Sequence, residues 1–429
     1  MSKPTLLETL KLWLKIGLLS FGGPAGQIAL MHRELVEKRD WLTEQQFLNA
    51  LNFCMLLPGP EAMQLATYAG WKSHGEKGGL IAGLLFVIPG ALVILTLSLI
   101  YSIYGQVPLI EAAFLGIKAA VLAIVLEALI KVSKRASKTP NFLEIAITAF
   151  IALFFFDVPF PLVIIVAALI GLSQSKFKPN TEAIQAQQGN SSQAYSISWQ
   201  KTVATILKWL FIWLTPLAIL ITFYGSDDLM VTIGLFFSKL AVVTFGGAYA
   251  VLAYMSQQAV ENYGWLSAAQ MIDGLGLAET TPGPLILVNQ FVGFYAGLSN
   301  GFASAIAASL IVLWVTFAPC FLWIFAGAPY IEKLGSMPRV SAALGAITAA
   351  VVGVIANLSI WFALHILFAN VNQRDIGFIH FALPQWSSIN FIAVAIAVLA
   401  GILLLKLHWG LFKVLGICAA LGIVASLIS

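Results

Sequence analysis

Apolar runs separated by short polar breaks make up most of the chain. The runs at 79 to 104, 109 to 131, 200 to 224, 302 to 327, 339 to 369, 388 to 405 and 409 to 428 approach or exceed the roughly 20 residues a helix needs to cross about 30 Å of hydrocarbon. Two shorter apolar stretches fill 141 to 172 and are interrupted at Asp157-Val158-Pro159, which predicts a tight helical hairpin. The segments are too long and too uniformly apolar for a membrane barrel, whose strands alternate over about 10 residues. One hydrophilic, low-complexity stretch, from Ser173 to about Gln200, predicts a linker. The expected organisation is an N-terminal repeat at 1–172, a cytoplasmic linker at 173–200 and a C-terminal repeat at 201–429.

The flanking parts superpose without a gap at an offset of 224 residues. Phe21-Gly22-Gly23 matches Phe245-Gly246-Gly247, Trp41-Leu42 matches Trp265-Leu266, and Pro58-Gly59-Pro60 matches Pro282-Gly283-Pro284. Lys15 pairs with Lys239, Met31 with Met255, Glu37 with Glu261 and Gln46 with Gln270. Short cytoplasmic loops carry an excess of Lys and Arg. That places 72 to 78, 131 to 138 (Lys131, Lys134, Arg135, Lys138), 176 to 201 and 333 to 339 inside. Gly105 to Leu109, Asp157 to Pro159 and the stretch after Asn370 fall outside. The extra span at 200 to 224 makes the second copy enter from the opposite face. The predicted fold class is therefore an all-α polytopic membrane protein with two inverted-topology repeats, an arrangement that puts a site near the membrane midplane in many secondary transporters.

Glycine and proline break apolar helical segments at Phe21-Gly22-Gly23-Pro24 and Pro58-Gly59-Pro60, and again in the second copy. Such breaks in lipid are stable only where they face protein or a water-filled cavity. Re-entrant hairpins are favoured, because 32 to 40 carries Arg33, Lys38 and Arg39 whereas its copy from Gln257 to Trp265 carries no cation. Kinked full spans are the alternative.

Composition agrees with lipid as the solvent: 60% of residues are hydrophobic, 10% are charged, and the mean hydropathy is +0.92. The formal charge of +4 collects at helix ends, with no basic stripe of the kind that binds nucleic acid. Cys54, Cys320 and Cys418 lie far apart in apolar segments, without companion histidines, so neither a disulfide framework nor a metal centre is expected. The start Met1-Ser2-Lys3-Pro4 leads into an amphipathic stretch, and no removable signal peptide is expected. No P-loop is present, and no facing nucleophile and base or His-Glu metal motif favours an intramembrane enzyme. No cofactor is implied.

Helices beginning after Gly23, Pro60, Gly247 and Pro284 would turn unpaired N–H groups and the positive end of the helix dipole toward the breaks, which suits an anion. One such terminus contributes about 0.3 to 2 kcal/mol, whereas dehydrating an ion costs on the order of tens of kcal/mol. Several termini, polar donors and a fixed cation are needed together. Ser20, Gln27, Gln64, Thr244, Thr280, Thr281, Asn289 and Gln290 are the candidate donors; Lys15 and Lys239 are the candidate cations or, equally, interfacial side chains that snorkel. Glu61 and Glu279 flank the Pro-Gly-Pro breaks, as proton carriers or as carboxylates settled by a helix dipole.

The stretches Ser20-Phe21-Gly22-Gly23-Pro24, Met31-His32-Arg33-Glu34-Leu35-Val36-Glu37 and Leu57-Pro58-Gly59-Pro60-Glu61-Ala62-Met63-Gln64-Leu65-Ala66 resemble the signature of the chromate ion transporter family. Thr244-Phe245-Gly246-Gly247 and Glu279-Thr280-Thr281-Pro282-Gly283-Pro284 resemble its C-terminal half. The resemblance implies an inner-membrane, multi-pass carrier that exports chromate and confers resistance, with sulfate competing and a coupling proton or counter-anion. A homodimer is left open. Sulfate uptake is the nearest alternative, since the two anions share shape and charge; a passive channel is a further one.

Overall fold

A computed structural model describes residues 4–174, 199–245, 247–331, 338–377 and 379–428. The predicted linker lies mostly outside the described residues, as do Lys176, Lys178, Lys333 and Gly246.

The first repeat opens with α1 (Leu6–Leu19), which starts at a capping box: the Thr5 side chain accepts from the Glu8 N–H, and the Glu8 carboxylate accepts from the Thr5 N–H. After the Gly22 break come α2 (Gly23–His32), a π-helical turn (Arg33–Glu37), α3 (Glu44–Leu56) and the long α4 (Glu61–Tyr104), which is kinked at His74 and Gly75. Then follow α5 (Pro108–Ala136) and the hairpin of α6 (Phe142–Phe156) and α7 (Phe160–Gln174), which turns at Asp157 as the sequence predicts. The connecting helix α8 (Trp199–Tyr224) leads into the second repeat.

There the order recurs: α9 (Leu229–Val243), α10 (Ala248–Gln257) with its own π-helical turn (Gln258–Asn262), α11 (Ala268–Glu279), a 3₁₀ turn (Leu285–Leu287) into α12 (Val288–Leu298), α13 (Phe302–Gly327) and α14 (Pro338–Leu367). The final pair is α15 (Phe391–Gly401), prolonged by a π-helical turn (Ile402–Lys406), and α16 (Leu411–Ile428). Even the caps recur. Thr43 with Gln46 boxes α3, and Ser267 with Gln270 boxes α11 at the same repeat positions. The expected run at 388 to 405 is therefore a short helix plus a π-helical turn. The stretch after Asn370 departs from all-α: β1 (Val371–Ile376) pairs antiparallel with β2 (Ile379–Pro384), a hairpin capping the end that holds Asp157.

Among the described residues, six helices are long and apolar enough to cross a membrane. Large apolar side chains such as Phe211, Leu169 and Val398 point outward, as a lipid-facing surface requires. Inside, backbones meet at small residues. A Cβ on Gly116 of α5 would lie 1.8 Å from the Cys418 carbonyl oxygen of α16, and one on Gly422 would lie 2.2 Å from that of Ala112.

Side-chain contacts sort the loops into two ends. Glu76 pairs with Lys208 at 2.5 Å, Thr202 hydrogen-bonds Tyr330, and Gly345 packs on Thr139, which gathers the cation-rich segments at one end. At the other end, Gln257 donates to Asp157 and the Trp361 indole donates to Glu261.

Candidate functional site

The first break reverses the chain. Lys15 on α1 and Glu34 beyond α2 form an ion pair at 3.0 Å, whereas a continuous helix would hold residues 19 apart in sequence about 28 Å from each other. Helices α1 and α2 thus fold back as a hairpin instead of spanning as one kinked rod.

Glu34 is 1% exposed. It accepts from Lys15 and Lys38 at 3.0 Å each and from Arg39. Burial alone would raise its pKa, but the three cations outweigh that and hold it down at about 2. Its contribution to stability is complete above the ordinary value of 4.5 and is lost as the pH falls through about 2. Glu34→Ala is expected to destabilise the protein by roughly 1–3 kcal/mol, below the 3–5 of a fully buried pair because the cations are partly solvated. The check is its melting temperature in detergent; an unchanged value would mean that the clasp carries no structural load.

The two Pro-Gly-Pro loops are braced by the opposite repeat's Gly-Gly breaks. The Gly59 N–H donates to the Thr244 carbonyl at 2.8 Å, and the Gly283 N–H donates to the Ser20 carbonyl at 2.8 Å. These bonds occupy the same repeat positions in each copy, so the crossing is a pseudo-symmetric junction of four helix breaks. Gly59 (φ +115) and Gly283 (φ +91) lie in the left-handed half of backbone space, where glycine alone is at ease. Gln64 donates to the Pro58 carbonyl at 2.7 Å and Gln27 to the Gly283 carbonyl at 2.6 Å.

Beside the junction lies a cavity of about 380 Å³ lined by Asn52, Gly59, Glu61, Arg135, Gly247 and Thr348, among others. Two helix N-termini reach it. Helix α4 begins at Glu61 after Pro60, and α10 begins at Ala248 after Gly247; neither has a side-chain cap. The Arg135 guanidinium touches the Met55 sulfur and has no carboxylate partner among the described residues. The Arg135 guanidinium, the Glu61 carboxyl and two helix N-termini thus meet on one cavity.

Of the residues singled out from sequence, Gly59, Glu61 and Gly247 line this cavity, Gly246 lies outside the described residues, and the rest serve the junction or sit apart. Lys15 is held by Glu34, and Lys239 is exposed on α9; neither lines the cavity. The hydroxyls are engaged within their own helices: Ser20 donates to Ile16, Thr244 to Leu240, and Thr280 and Thr281 to Leu277. The amides of Gln27 and Gln64 are likewise committed to loop carbonyls.

Phe21 packs edge-on against Phe412, while Gly22 and Gly23 turn the first break with positive φ. Phe245 packs against the core, and Pro58 and Pro60 frame the Gly59 turn. In the second copy Pro282, Gly283, Pro284, Asn289 and Gln290 are buried, and Glu279 accepts from the Tyr249 hydroxyl at 2.6 Å. The cavity is therefore one-sided although the sequence is duplicated. Arg135, Asn52 and Thr348 were missed as site residues, because each lies on a helix whose inward face the sequence pattern leaves undefined.

The chromate transporter family model matches residues 7–172 and again 231–423, the second match starting 224 residues after the first. The chromate transport protein of Pseudomonas aeruginosa is 30% identical over 92% of this chain and 91% of its own length. That of Cupriavidus metallidurans is 28% identical over 82% of this chain and 81% of its own. The probable chromate transport protein of Synechococcus elongatus is 30% identical over 82% and 83%. No solved structure matches the chain significantly. Two matched regions, duplicated helix breaks and six helices long and apolar enough to span a membrane lead to one assignment: this chain is a multi-pass membrane protein of the chromate transporter family.

Proposed function

We propose that the protein is a secondary active exporter of chromate in the cell inner membrane, working by alternating access between two inverted repeats, and that sulfate competes for the same site. The observation that carries the reading is the cavity beside the junction, which joins two uncapped helix N-termini to Arg135. A tetrahedral dianion accepts hydrogen bonds from every side, so N–H groups from both copies and a guanidinium suit it without any need for a metal. The cavity lies near the C-terminal turns of α5 and the first turns of α14, beside the cation-rich end, which by the excess of Lys and Arg is the cytoplasmic one. Chromate would enter there from inside. Glu61 shares the α4 terminus and is the candidate carrier of a coupling proton.

Everted membrane vesicles loaded by an imposed gradient should accumulate labelled chromate, and excess sulfate should suppress the uptake several-fold. Equal suppression by an unrelated monovalent anion, or chromate entry only into right-side-out vesicles, would refute export of a tetrahedral dianion.

A further inference from the structure

A second charged cluster lies inside the bundle, away from the cavity. Lys118 Nζ on α5 is 3.1 Å from Asp273 Oδ2 on α11, and the Tyr101 hydroxyl donates to the same oxygen at 2.6 Å. Asp273 is 3% exposed, and its Oδ1 is buried without a partner. Phe114, Phe291 and Tyr295 pack around the Tyr101 ring. Charges at such a place are costly unless they compensate one another.

The pair joins the two repeats, since α5 belongs to the first and α11 to the second. One turn along, Gly276 meets α5 so closely that an added Cβ would lie 2.5 Å from Ile117 Cγ2. The duplication builds the same interface a second time, between α3 and α14. There Asn49 stands in the place of Asp273 and Ala342 in the place of Lys118. Asn49 accepts from Gln45 within its own helix at 2.9 Å. Between those helices lies the cavity, lined by Asn52 on one side and Ser341, Gly345 and Thr348 on the other. One of two equivalent interfaces is open and carries no ion pair; the other is shut and carries one.

We infer that Lys118 and Asp273, with Tyr101 as the third member, are positioning residues that latch the second passage shut while the first is open. The chain reaches its alternate state by parting α11 from α5. The inference rests on the alternating-access reading above, and it assigns the bias between the two states to a pair that touches no transported ion. Parting the helices admits water to both charges, so the latch opens without leaving a bare ion in the apolar interior. Only one interface carries the pair, so the two repeats are not energetically equivalent, and the resting state favours access from the open side.

The test uses the full chain with Cys54, Cys320 and Cys418 replaced, in membranes, with single reporters Thr348→Cys in the open cavity and Val121→Cys in the closed interface. A small water-soluble maleimide is applied to both faces. The parent should label at Thr348→Cys and resist at Val121→Cys. In the doubly neutral variant Lys118→Met with Asp273→Asn, labelling at Val121→Cys should rise at least tenfold and labelling at Thr348→Cys should fall. The reversed pair, Lys118→Asp with Asp273→Lys, should restore the parent pattern. If saturating chromate shifts labelling between the reporters while the doubly neutral variant behaves as the parent, the latch is wrong and alternating access stands. If neither chromate nor any variant moves either label, both readings fall. Failure of both the neutral and the reversed variant to reach the membrane would make the pair a folding element and overturn the inference.

Discussion

Gly59→Val and Gly283→Val should each abolish chromate transport while leaving the protein in the membrane at parental levels. Both residues hold positive φ, +115 and +91, which a β-branched side chain adopts only at a cost of about 1–3 kcal/mol or more. A Cβ on Gly59 would also stand 2.9 Å from both Cys320 Sγ and Gln64 Nε2, and one on Gly283 would stand 3.1 Å from Leu287 Cδ1. Relief requires the Pro-Gly-Pro loop to move. That move breaks the 2.8 Å bond to the opposite repeat and shifts the start of the following helix. Insertion depends on the long apolar helices elsewhere, so initial uptake rates should fall at matched protein level. Gly90→Ala makes an independent strike at the same loop: its Cβ would sit 2.0 Å from the Pro282 carbonyl oxygen. Normal rates in all three variants would show that the junction tolerates movement and that the anion passes elsewhere.

The junction was legible in the sequence because glycine and proline are rare, position-specific interruptions of apolar helices, and their duplication at one spacing marks a device built twice. The long apolar helices and the hairpin at Asp157 follow from equally local signals. What stayed hidden depends on contacts between distant segments. Lys15 was attractive as an anion ligand because it is a cation within an apolar run, and its partner Glu34 lies across a chain reversal that spacing alone left open. Serine and threonine near the breaks read as donors, yet each satisfies its own helix carbonyl, the usual arrangement for hydroxyls in apolar helices. The β-hairpin at 371 to 384 turns at Gly377, a lone glycine that a reading for apolar helices passes over.

The asymmetry of the site was the least accessible feature. Both copies contain the same breaks, so sequence reasoning placed the ligand symmetrically across four of them. In the structure a cavity lies between the helices that carry Asn49 and Ala342, whereas at the counterpart Asp273 meets Lys118. The difference lies in a few side chains at positions that the duplication leaves free to diverge. Under the proposed latch, those positions, more than the shared motifs, set which face the cavity serves.

Arg135→Ala should raise the KM for chromate by about tenfold to a hundredfold with membrane expression unchanged. Arg135 sits in the last turn of α5 and lines the cavity with Glu61 and Gly247. It touches the Met55 sulfur and forms no salt bridge with a carboxylate among the described residues. A charged hydrogen bond is worth about 1.5–3 kcal/mol, which corresponds to the stated range at about 1.4 kcal/mol per factor of ten. Arg135→Lys keeps the charge but loses the planar fork that grips two oxygens at once, and should fall between parent and alanine. Lys239→Gln, at an exposed cation outside the cavity, is the matched control and should leave KM near the parental value. The reverse ranking, with Lys239→Gln impaired and Arg135→Ala normal, would move the anion to the surface of α9 and empty the cavity of its proposed role.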